Sequence, residues 1–162
     1  MGRFAWSISP LVLIAGLGLA QAQAPLDDAT MCRTATGETA ISACTRAISS
    51  GRLKDRNLAL AYDKRGVEFD RISESDKAIA DYDQALRLDP AFVVAHVNRA
   101  RVFRKKREFD RAIADYDDAI RINPKYAVAY NGRGVIFNDK TEYDRAIADF
   151  NTALSIEPRL IA

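Results

Sequence analysis

The segment Ala78-Ile-Ala-Asp-Tyr-Asp-Gln-Ala-Leu-Arg-Leu-Asp-Pro90 is the most informative part of the sequence, because the chain repeats it. Near-copies of this phrase end at Pro124 and Pro158, so it returns every 34 residues. A fixed period of this length is typical of units that cannot bury their own apolar face and must stack on their neighbours. The repeat therefore predicts a stack of similar units that presents a long exposed surface.

The spacing of apolar residues predicts two helices in each period. In the second helix, Ala78, Ile79, Tyr82 and Ala85 share one face of an α-helix. The proline ends this helix, since the residue before a proline disfavours the helical conformation. The first helix of each unit carries an aromatic residue or a histidine, then a small residue, then a phenylalanine along one stripe. These first helices are predicted over residues 59–71, 93–106 and 127–139.

Two polar signals accompany the second helices. Ser73 and Thr141 each precede an aspartate by three residues, a pattern similar to a capping box, and are predicted to cap the helices that follow. An aspartate also recurs inside each second helix, four residues after a basic residue. We interpret these pairs as exposed ion pairs rather than catalytic groups, because a whole repeat separates one aspartate from the next. The pairs are Lys77 with Asp81, Arg111 with Asp115, and Arg145 with Asp149.

The spacings Tyr62-x3-Gly66-x2-Phe69 and Ala78-x3-Tyr82-x2-Ala85, followed by Pro90, resemble the tetratricopeptide repeat signature. The resemblance implies an all-α fold, a right-handed α-solenoid of antiparallel helix pairs. It also implies a scaffold whose first helices line a concave groove, where family members hold extended peptides or partner helices. The overall layout resembles small secreted tetratricopeptide proteins of Gram-negative bacteria. The three units in phase are residues 59–92, 93–126 and 127–160.

Residues 1–22 are interpreted as a secretory signal peptide. Arg3 is followed by an apolar run over residues 11–20 and then by small residues that suit cleavage after Ala22. Cleavage after Ala24 is the alternative, although a proline would then follow the cut directly. The apolar run is too short for an uncleaved membrane anchor. The expected location is therefore periplasmic or secreted, without stable membrane insertion after cleavage.

Two further segments separate the signal from the first full unit. Residues 23–35 are predicted to contain a short helix, and residues 36–58 a degenerate N-terminal repeat half followed by a linker. Cys32 and Cys44, the two cysteines of the chain, fall one in each segment. In an oxidising compartment they favour a structural disulfide, with two buried thiols as the alternative. A metal site is not expected, because His96 is the only histidine.

The resemblance also indicates which residues would face the groove. Arginines and asparagines predominate at its centre, and these side chains can pair with a carboxylate or with a peptide main chain. The expected partner is a protein or peptide with an acidic group or a free C-terminus. The carboxylate clamp of chaperone-binding family members is not expected, because only Asn98 matches its five positions. The predicted groove residues are Lys64, Val67, Asn98, Arg101, Arg104, Lys105, Asn131 and Asn138.

Charge and motif content argue against other classes of function. The formal net charge is +2, and loss of Arg3 with the signal leaves +1, which gives no reason to expect nucleic acid. No phosphate-binding loop or catalytic triad occurs, so we predict no enzyme and no cofactor. His96 as a lone general base is the enzymatic alternative, and its burial would exclude it. An accessory subunit that docks through an uncovered last helix is another alternative to a monomeric scaffold.

Overall fold

The computed structural model describes residues 27–159 of the chain. The predicted signal peptide, residues 1–22, lies outside the described residues. Residues 27–159 form eight α-helices and no strand, and none of these helices is long and apolar enough to cross a membrane. The helices are α1 (Asp28–Thr34), α2 (Gly37–Ser49), α3 (Asp55–Arg71), α4 (Ser75–Leu88), α5 (Val93–Lys105), α6 (Phe109–Ile122), α7 (Ala127–Asp139) and α8 (Tyr143–Ile156).

The helix boundaries repeat with the period of the sequence. The second helices α4, α6 and α8 begin at Ser75, Phe109 and Tyr143, which are 34 residues apart. The first helices α5 and α7 keep the same spacing, whereas α3 begins at Asp55 rather than at residue 59. Short turns join the two helices of each unit and make them antiparallel neighbours. The structure confirms the predicted all-α helical repeat.

The turn inside each repeat differs from the sequence prediction. Ser73, Arg107 and Thr141 have positive φ angles of 62°, 61° and 63°, so each closes the first helix instead of capping the second. The next amide, that of Glu74, donates to the carbonyl of Phe69 at 2.9 Å, as in a Schellman motif. The prediction that Ser73 and Thr141 are N-caps is therefore wrong, and the N-cap position falls one residue later.

Close helix crossings within and between repeats depend on small residues. A β-carbon at Gly66 would come within 2.9 Å of the Tyr82 ring, so glycine allows α3 and α4 to approach closely. In the middle repeat Ala100 occupies the position of Gly66 and belongs to the same buried cluster as Tyr116, whose ring also lies against Gly132 of the next repeat. Small residues thus allow close packing both within a repeat and between successive repeats.

The helices α1 and α2 form a short N-terminal unit. Cys32 on α1 and Cys44 on α2 are both buried and are joined by a disulfide, with an S–S distance of 2.01 Å. The amide of Gly37, the first residue of α2, donates to the carboxylate of Glu68 on α3 at 2.9 Å. Glu68 has no exposed surface. The N-terminal unit is therefore held covalently within itself and by a buried carboxylate from the first full repeat.

The stack of units is curved. Successive first helices contact each other, from α1 to α3, α5 and α7, whereas successive second helices make no such contact within residues 27–159. The first helices therefore lie on the inner side of the curve and the second helices on the outer side. The solvent-exposed side of α3, α5 and α7 is called the inner face below. This arrangement places the predicted groove residues on the inner face.

Candidate functional site

Polar contacts bridge neighbouring first helices along the inner face. Each joins two residues that are 35 positions apart, one on each of two successive first helices. The charges of two predicted groove cations are therefore balanced within the chain. The contacts are Asn98 Nδ2 to Asp63 Oδ1 (3.0 Å), Lys105 Nζ to Asp70 Oδ1 (2.7 Å) and Arg104 Nε to Asp139 Oδ2 (2.8 Å).

Arg101 differs from the other predicted groove cations. It is exposed, and it forms no ion pair with any residue between 27 and 159. Burial raises the pKa of the hydroxyls of Tyr82 and Tyr116, and the charge of Arg101 opposes this rise, which places its guanidinium near both rings. An exposed guanidinium with unused donors can bind a carboxylate in bidentate fashion. Arg101 is thus the cation of the inner face that remains available for an anionic partner.

The remaining predicted groove residues vary in availability. Lys64 Nζ contacts Glu68 Oε1 at 2.8 Å, so the charge of this lysine is balanced too. Val67 is half-buried, and it supplies an apolar surface beside these charges. Asn131 is half-buried and Asn138 exposed, and neither amide forms a hydrogen bond within the described part of the chain. The two asparagines can therefore still donate to, and accept from, a peptide main chain.

A cavity of about 330 Å³ opens between α1 and α3, at the N-terminal end of the inner face. Cys32, Leu53, Leu60 and Ala61 give it a mainly apolar lining. This cavity was not predicted from the sequence. The sequence feature that could have indicated the cavity is the linker that contains Leu53. This linker makes the spacing between the N-terminal unit and the first full unit four residues longer than the period.

Charged and polar groups surround the mouth of this cavity. Arg33, Asp63 and Lys64 contribute to its lining. Asp63 uses Oδ1 to accept the hydrogen bond from Asn98, and burial raises the pKa of its carboxyl group. Since Lys64 is paired with Glu68, Arg33 is the cation at the mouth without an ion pair among residues 27–159.

A buried ion pair recurs inside each full repeat, and the sequence interpretation missed it. Asp81, Asp115 and Asp149 are buried, so their interpretation as exposed pairs with Lys77, Arg111 and Arg145 is wrong. Each aspartate instead accepts two hydrogen bonds from an arginine that precedes it by 16 residues on the first helix. The sequence signal was this recurring offset. The pairs are Arg65–Asp81 (2.7 Å), Arg99–Asp115 (2.6 Å) and Arg133–Asp149 (2.8 Å).

The same arginines also reach the preceding unit. A further nitrogen of Arg99 contacts Asp83, and the equivalent nitrogen of Arg133 contacts Asp117. Hydrogen bonds with Asp149 and Asp117 raise the pKa of Arg133, with burial opposing them. Because both partners belong to the chain itself, these guanidinium groups tie one repeat to the next rather than offering a site to a ligand.

His96 is buried, with 6% of its surface exposed. Its Nε2 lies 3.1 Å from the carbonyl oxygen of Pro90, and its Nδ1 lies 3.4 Å from Asp115 Oδ1. Both ring nitrogens therefore face groups of the protein and not solvent. This burial removes the candidate general base on which the enzymatic alternative depended.

One group of side chains within residues 27–159 has the composition of a metal site. His96, Asp115 and Asp118 place ligand atoms within 4.8 Å of one another. However, Arg99 donates to both carboxylate oxygens of Asp115, at 2.6 and 2.9 Å. A bound cation would have to compete with that guanidinium at close range. The arrangement therefore fits a structural ion-pair network better than a metal centre.

The outward side of α8 exposes three large apolar residues. Tyr143 is 58% exposed, Ile147 56% and Leu154 38%. The residue equivalent to Ile147 in the middle repeat, Ile113, is partly buried against the core. The difference arises because α7 covers α6, whereas within residues 27–159 no helix covers α8.

Comparisons with known proteins agree with this architecture. A family model described as tetratricopeptide repeat matches residues 64–127 and, in an overlapping placement, residues 97–159. No curated protein matches the chain. The crystal structure of MamA superimposes with a TM-score of 0.67 at 26% sequence identity, covering 75% of this chain and 68% of that chain.

Two further solved structures are similar. The first tetratricopeptide domain of Spaghetti (RPAP3), bound to the HSP90 peptide SRMEEVD, gives a TM-score of 0.64 at 27% identity and covers 68% of this chain and 88% of that chain. The Arabidopsis OM64 tetratricopeptide domain gives 0.64 at 28% identity, with coverage of 66% and 88%. Since the family match spans residues 64–159, more than half of the 162 residues, the chain belongs to the tetratricopeptide repeat family.

Proposed function

We propose that this protein is an exported scaffold that binds a segment of another protein on its inner face, with an acidic group of the segment on Arg101. The observation that supports the proposal is that the cations of the inner face differ in their ion pairing. Arg104, Lys105 and Lys64 are paired within the chain, whereas Arg101 forms no ion pair among residues 27–159. A free C-terminus or an acidic side chain would complete the interaction.

The similar structures support peptide binding as the general mode. The Spaghetti domain is bound to a peptide that contains two glutamates and ends in an aspartate. The residues used must differ in this chain, because it has Asp63, Val67, Val128 and Gly132 at four of the five positions of the family's carboxylate clamp. The proposal therefore places the anionic contact at Arg101, in the middle repeat.

Two features of the N-terminal region support export, namely the signal-peptide pattern and the disulfide. Residues 1–22 have the three-part pattern of a signal peptide. The disulfide between Cys32 and Cys44 fits an oxidising compartment such as the periplasm. A scaffold in that compartment would serve in the assembly of the cell envelope. Fusion of the first 30 residues to a reporter that folds only after export would test this part separately.

Selection from a displayed library of random peptides tests the binding proposal. We expect the selected peptides to be enriched in acidic residues or to depend on their C-terminal carboxylate. Arg101→Gln should weaken binding of these peptides about tenfold or more, because a charge-assisted hydrogen bond contributes about 1.5–3 kcal/mol. Arg87→Gln is the matched control, since Arg87 is an exposed arginine on α4 that also forms no ion pair within residues 27–159. Equal effects of the two substitutions would refute the proposal.

An accessory subunit that docks through α8 is the second candidate function. It is favoured by the exposure of Tyr143, Ile147 and Leu154 on one side of that helix. Analytical ultracentrifugation of the purified chain tests the simplest case, in which α8 docks on a second copy of the chain. We expect a monomer at micromolar concentration. Self-association that Ile147→Lys abolishes would favour docking through α8 instead.

A further inference from the structure

The cavity between α1 and α3 lies beside the inner face. The polar contacts described for the inner face give no role to its apolar lining. Leu60 is 43% exposed although it borders this space, and Leu53 and Ala61 add to its apolar wall. A volume of about 330 Å³ is at the lower end of the range of ligand-binding cavities, about 300–1,000 Å³. A space of this size suits one side chain and is too small for a helix.

The chemistry of the cavity selects among possible occupants. Its walls are mainly apolar, and Arg33 at its mouth has no ion pair among residues 27–159. A lysine or arginine of a partner would meet the unpaired positive charge of Arg33 there, since Glu68 already balances the charge of Lys64 and Asp63 accepts a hydrogen bond from Asn98. An aliphatic or aromatic side chain avoids this repulsion and buries apolar surface, which is favourable by about 25 cal/mol per Å².

The cavity is connected to the proposed anion site by a short path. Asp63 lines the cavity and accepts a hydrogen bond from Asn98 at 3.0 Å. Asn98 lies one helical turn before Arg101 on α5. One turn rises by about 5 Å, and the axes of packed helices such as α3 and α5 lie about 8–10 Å apart, which together give a separation of about 10 Å. An extended chain advances by about 3.3 Å per residue, so the two sites are about two to four peptide residues apart. The second oxygen of Asp63 remains free to accept a main-chain N–H between them.

We propose that the cavity anchors one aliphatic or aromatic side chain of the bound segment, about two to four residues from the acidic group that meets Arg101. This inference rests on the proposed function and names the class of segment that the scaffold selects. The bound segment is thus extended and acidic, and a single apolar side chain of this segment fills the cavity. The N-terminal unit α1–α2 then has a binding role, because α1 forms one wall of the cavity and the disulfide fixes α1 in place.

A direct experiment uses small probes of the anchor alone. N-acetyl-phenylalanine amide and N-acetyl-leucine amide are titrated into the ¹⁵N-labelled protein, with N-acetyl-lysine amide as the negative probe. We expect saturable shifts of the amide resonances of Ala29, Leu60 and Ala61 with the two apolar probes only. Ala29→Trp, which fills the cavity from α1, should abolish these shifts. Ala80→Trp on the outer surface of α4 is the matched control and should preserve them.

The peptides selected by display give the second measurement. Ala29→Trp should weaken their binding about tenfold, and replacement of the peptide's apolar residue by alanine should remove this effect of Ala29→Trp. Binding that depends on Arg101 but not on Ala29→Trp would overturn the anchor and leave the proposed function standing. Shifts by the apolar probes without any Arg101-dependent peptide would instead refute the proposed function.

Three other outcomes overturn the anchor proposal. The first is the absence of shifts with the apolar probes. The second is an equal response to the lysine probe. The third is movement of the resonances of residues 23–26 on addition of the probes, which would identify the chain's own N-terminal segment as the occupant of the cavity.

Discussion

Within residues 27–159, the first and the last units of the helix stack are built differently. At the N-terminal end, a disulfide joins α1 to α2, and buried Glu68 from α3 accepts the first amide of α2. At the C-terminal end, α8 leaves Ile147 and Tyr143 more than half exposed. The N-terminal unit departs from the repeat pattern and encloses a cavity, whereas α8 keeps the apolar pattern of an internal helix. The N-terminal unit thus has two features that the full repeats lack, namely a disulfide and an apolar cavity beside α1.

The largest effect is expected from the arginines that join each end to the middle of the stack. Replacement of Arg133 by methionine leaves Asp149 buried without its partner, which costs about 3–5 kcal/mol, and also breaks the contact with Asp117. Arg65→Met leaves Asp81 equally unpaired, but its contact with the preceding unit is with the neutral Thr45. Urea unfolding should therefore show a larger loss for Arg133→Met than for Arg65→Met.

A double substitution controls for simple loss of packing. Arg133→Met combined with Asp149→Leu removes both charges, so it should recover most of the stability that Arg133→Met loses. A double variant as unstable as the single one would mean that the buried charge is not the cause.

The second effect concerns the N-terminal end alone. Cys32→Ala with Cys44→Ala removes the disulfide, and such a short covalent loop typically contributes about 2–4 kcal/mol. Native-state hydrogen exchange should show faster exchange in α1 and α2, with α7 and α8 unchanged. Exchange that accelerates equally in all helices would show that the disulfide stabilises the whole stack rather than this end.

A smaller effect at the same end depends on pH. Burial alone would raise the pKa of Glu68, but hydrogen bonds from Lys64 and from the amide of Gly37 lower it below the ordinary value of 4.5. A carboxyl group whose pKa is lowered by folding stabilises the protein above its unfolded pKa, and this contribution disappears as the pH falls through the folded pKa. We therefore expect the wild-type protein to be more stable than Glu68→Gln at pH 6, with the difference shrinking below pH 4.5.

The exposed end supplies the control for this pH dependence. Glu142 at the start of α8 also has a lowered pKa, caused first by its hydrogen bond with Arg145. This glutamate is half-buried, but its partner Arg145 is exposed to solvent, and ion pairs at the surface contribute little. Glu142→Gln should therefore leave the thermal unfolding temperature nearly unchanged at both pH values. A pH dependence as strong as that of Glu68→Gln would contradict the assignment to buried Glu68.

The sequence predicted the fold because the fold depends on local patterns. The period and the apolar stripes of Ala78, Tyr82 and Ala85 are encoded within one helix, and the structure follows them. The prediction for the turn between the two helices of each repeat was wrong because it relied on side chains alone. Ser73 and Thr141 suggest caps by their side chains, but Arg107 at the equivalent position adopts the same positive φ. The geometry of the helix connection, rather than the capping side chain, fixes that turn.

The electrostatics could not be predicted from neighbouring residues. Asp115 follows Arg111 by four positions, yet it pairs with Arg99, 16 residues away on the facing helix. Likewise, Arg104 on the inner face finds Asp139 only because α7 packs beside α5. Which groove cation remains available is therefore a property of the tertiary structure, and from the sequence alone Arg101 and Arg104 were equivalent candidates.

The smallest effect is expected at the exposed end itself. Ile113 and Ile147 occupy the same position in successive repeats, but Ile113 packs against the core whereas Ile147 is 56% exposed. Ile113→Ser should cost about 1–3 kcal/mol of unfolding free energy, and Ile147→Ser less than about 0.5 kcal/mol in the isolated chain. Urea unfolding at low protein concentration measures both. If Ile147→Ser proves as costly as Ile113→Ser, then α8 is covered in solution, and the contrast between the two ends disappears.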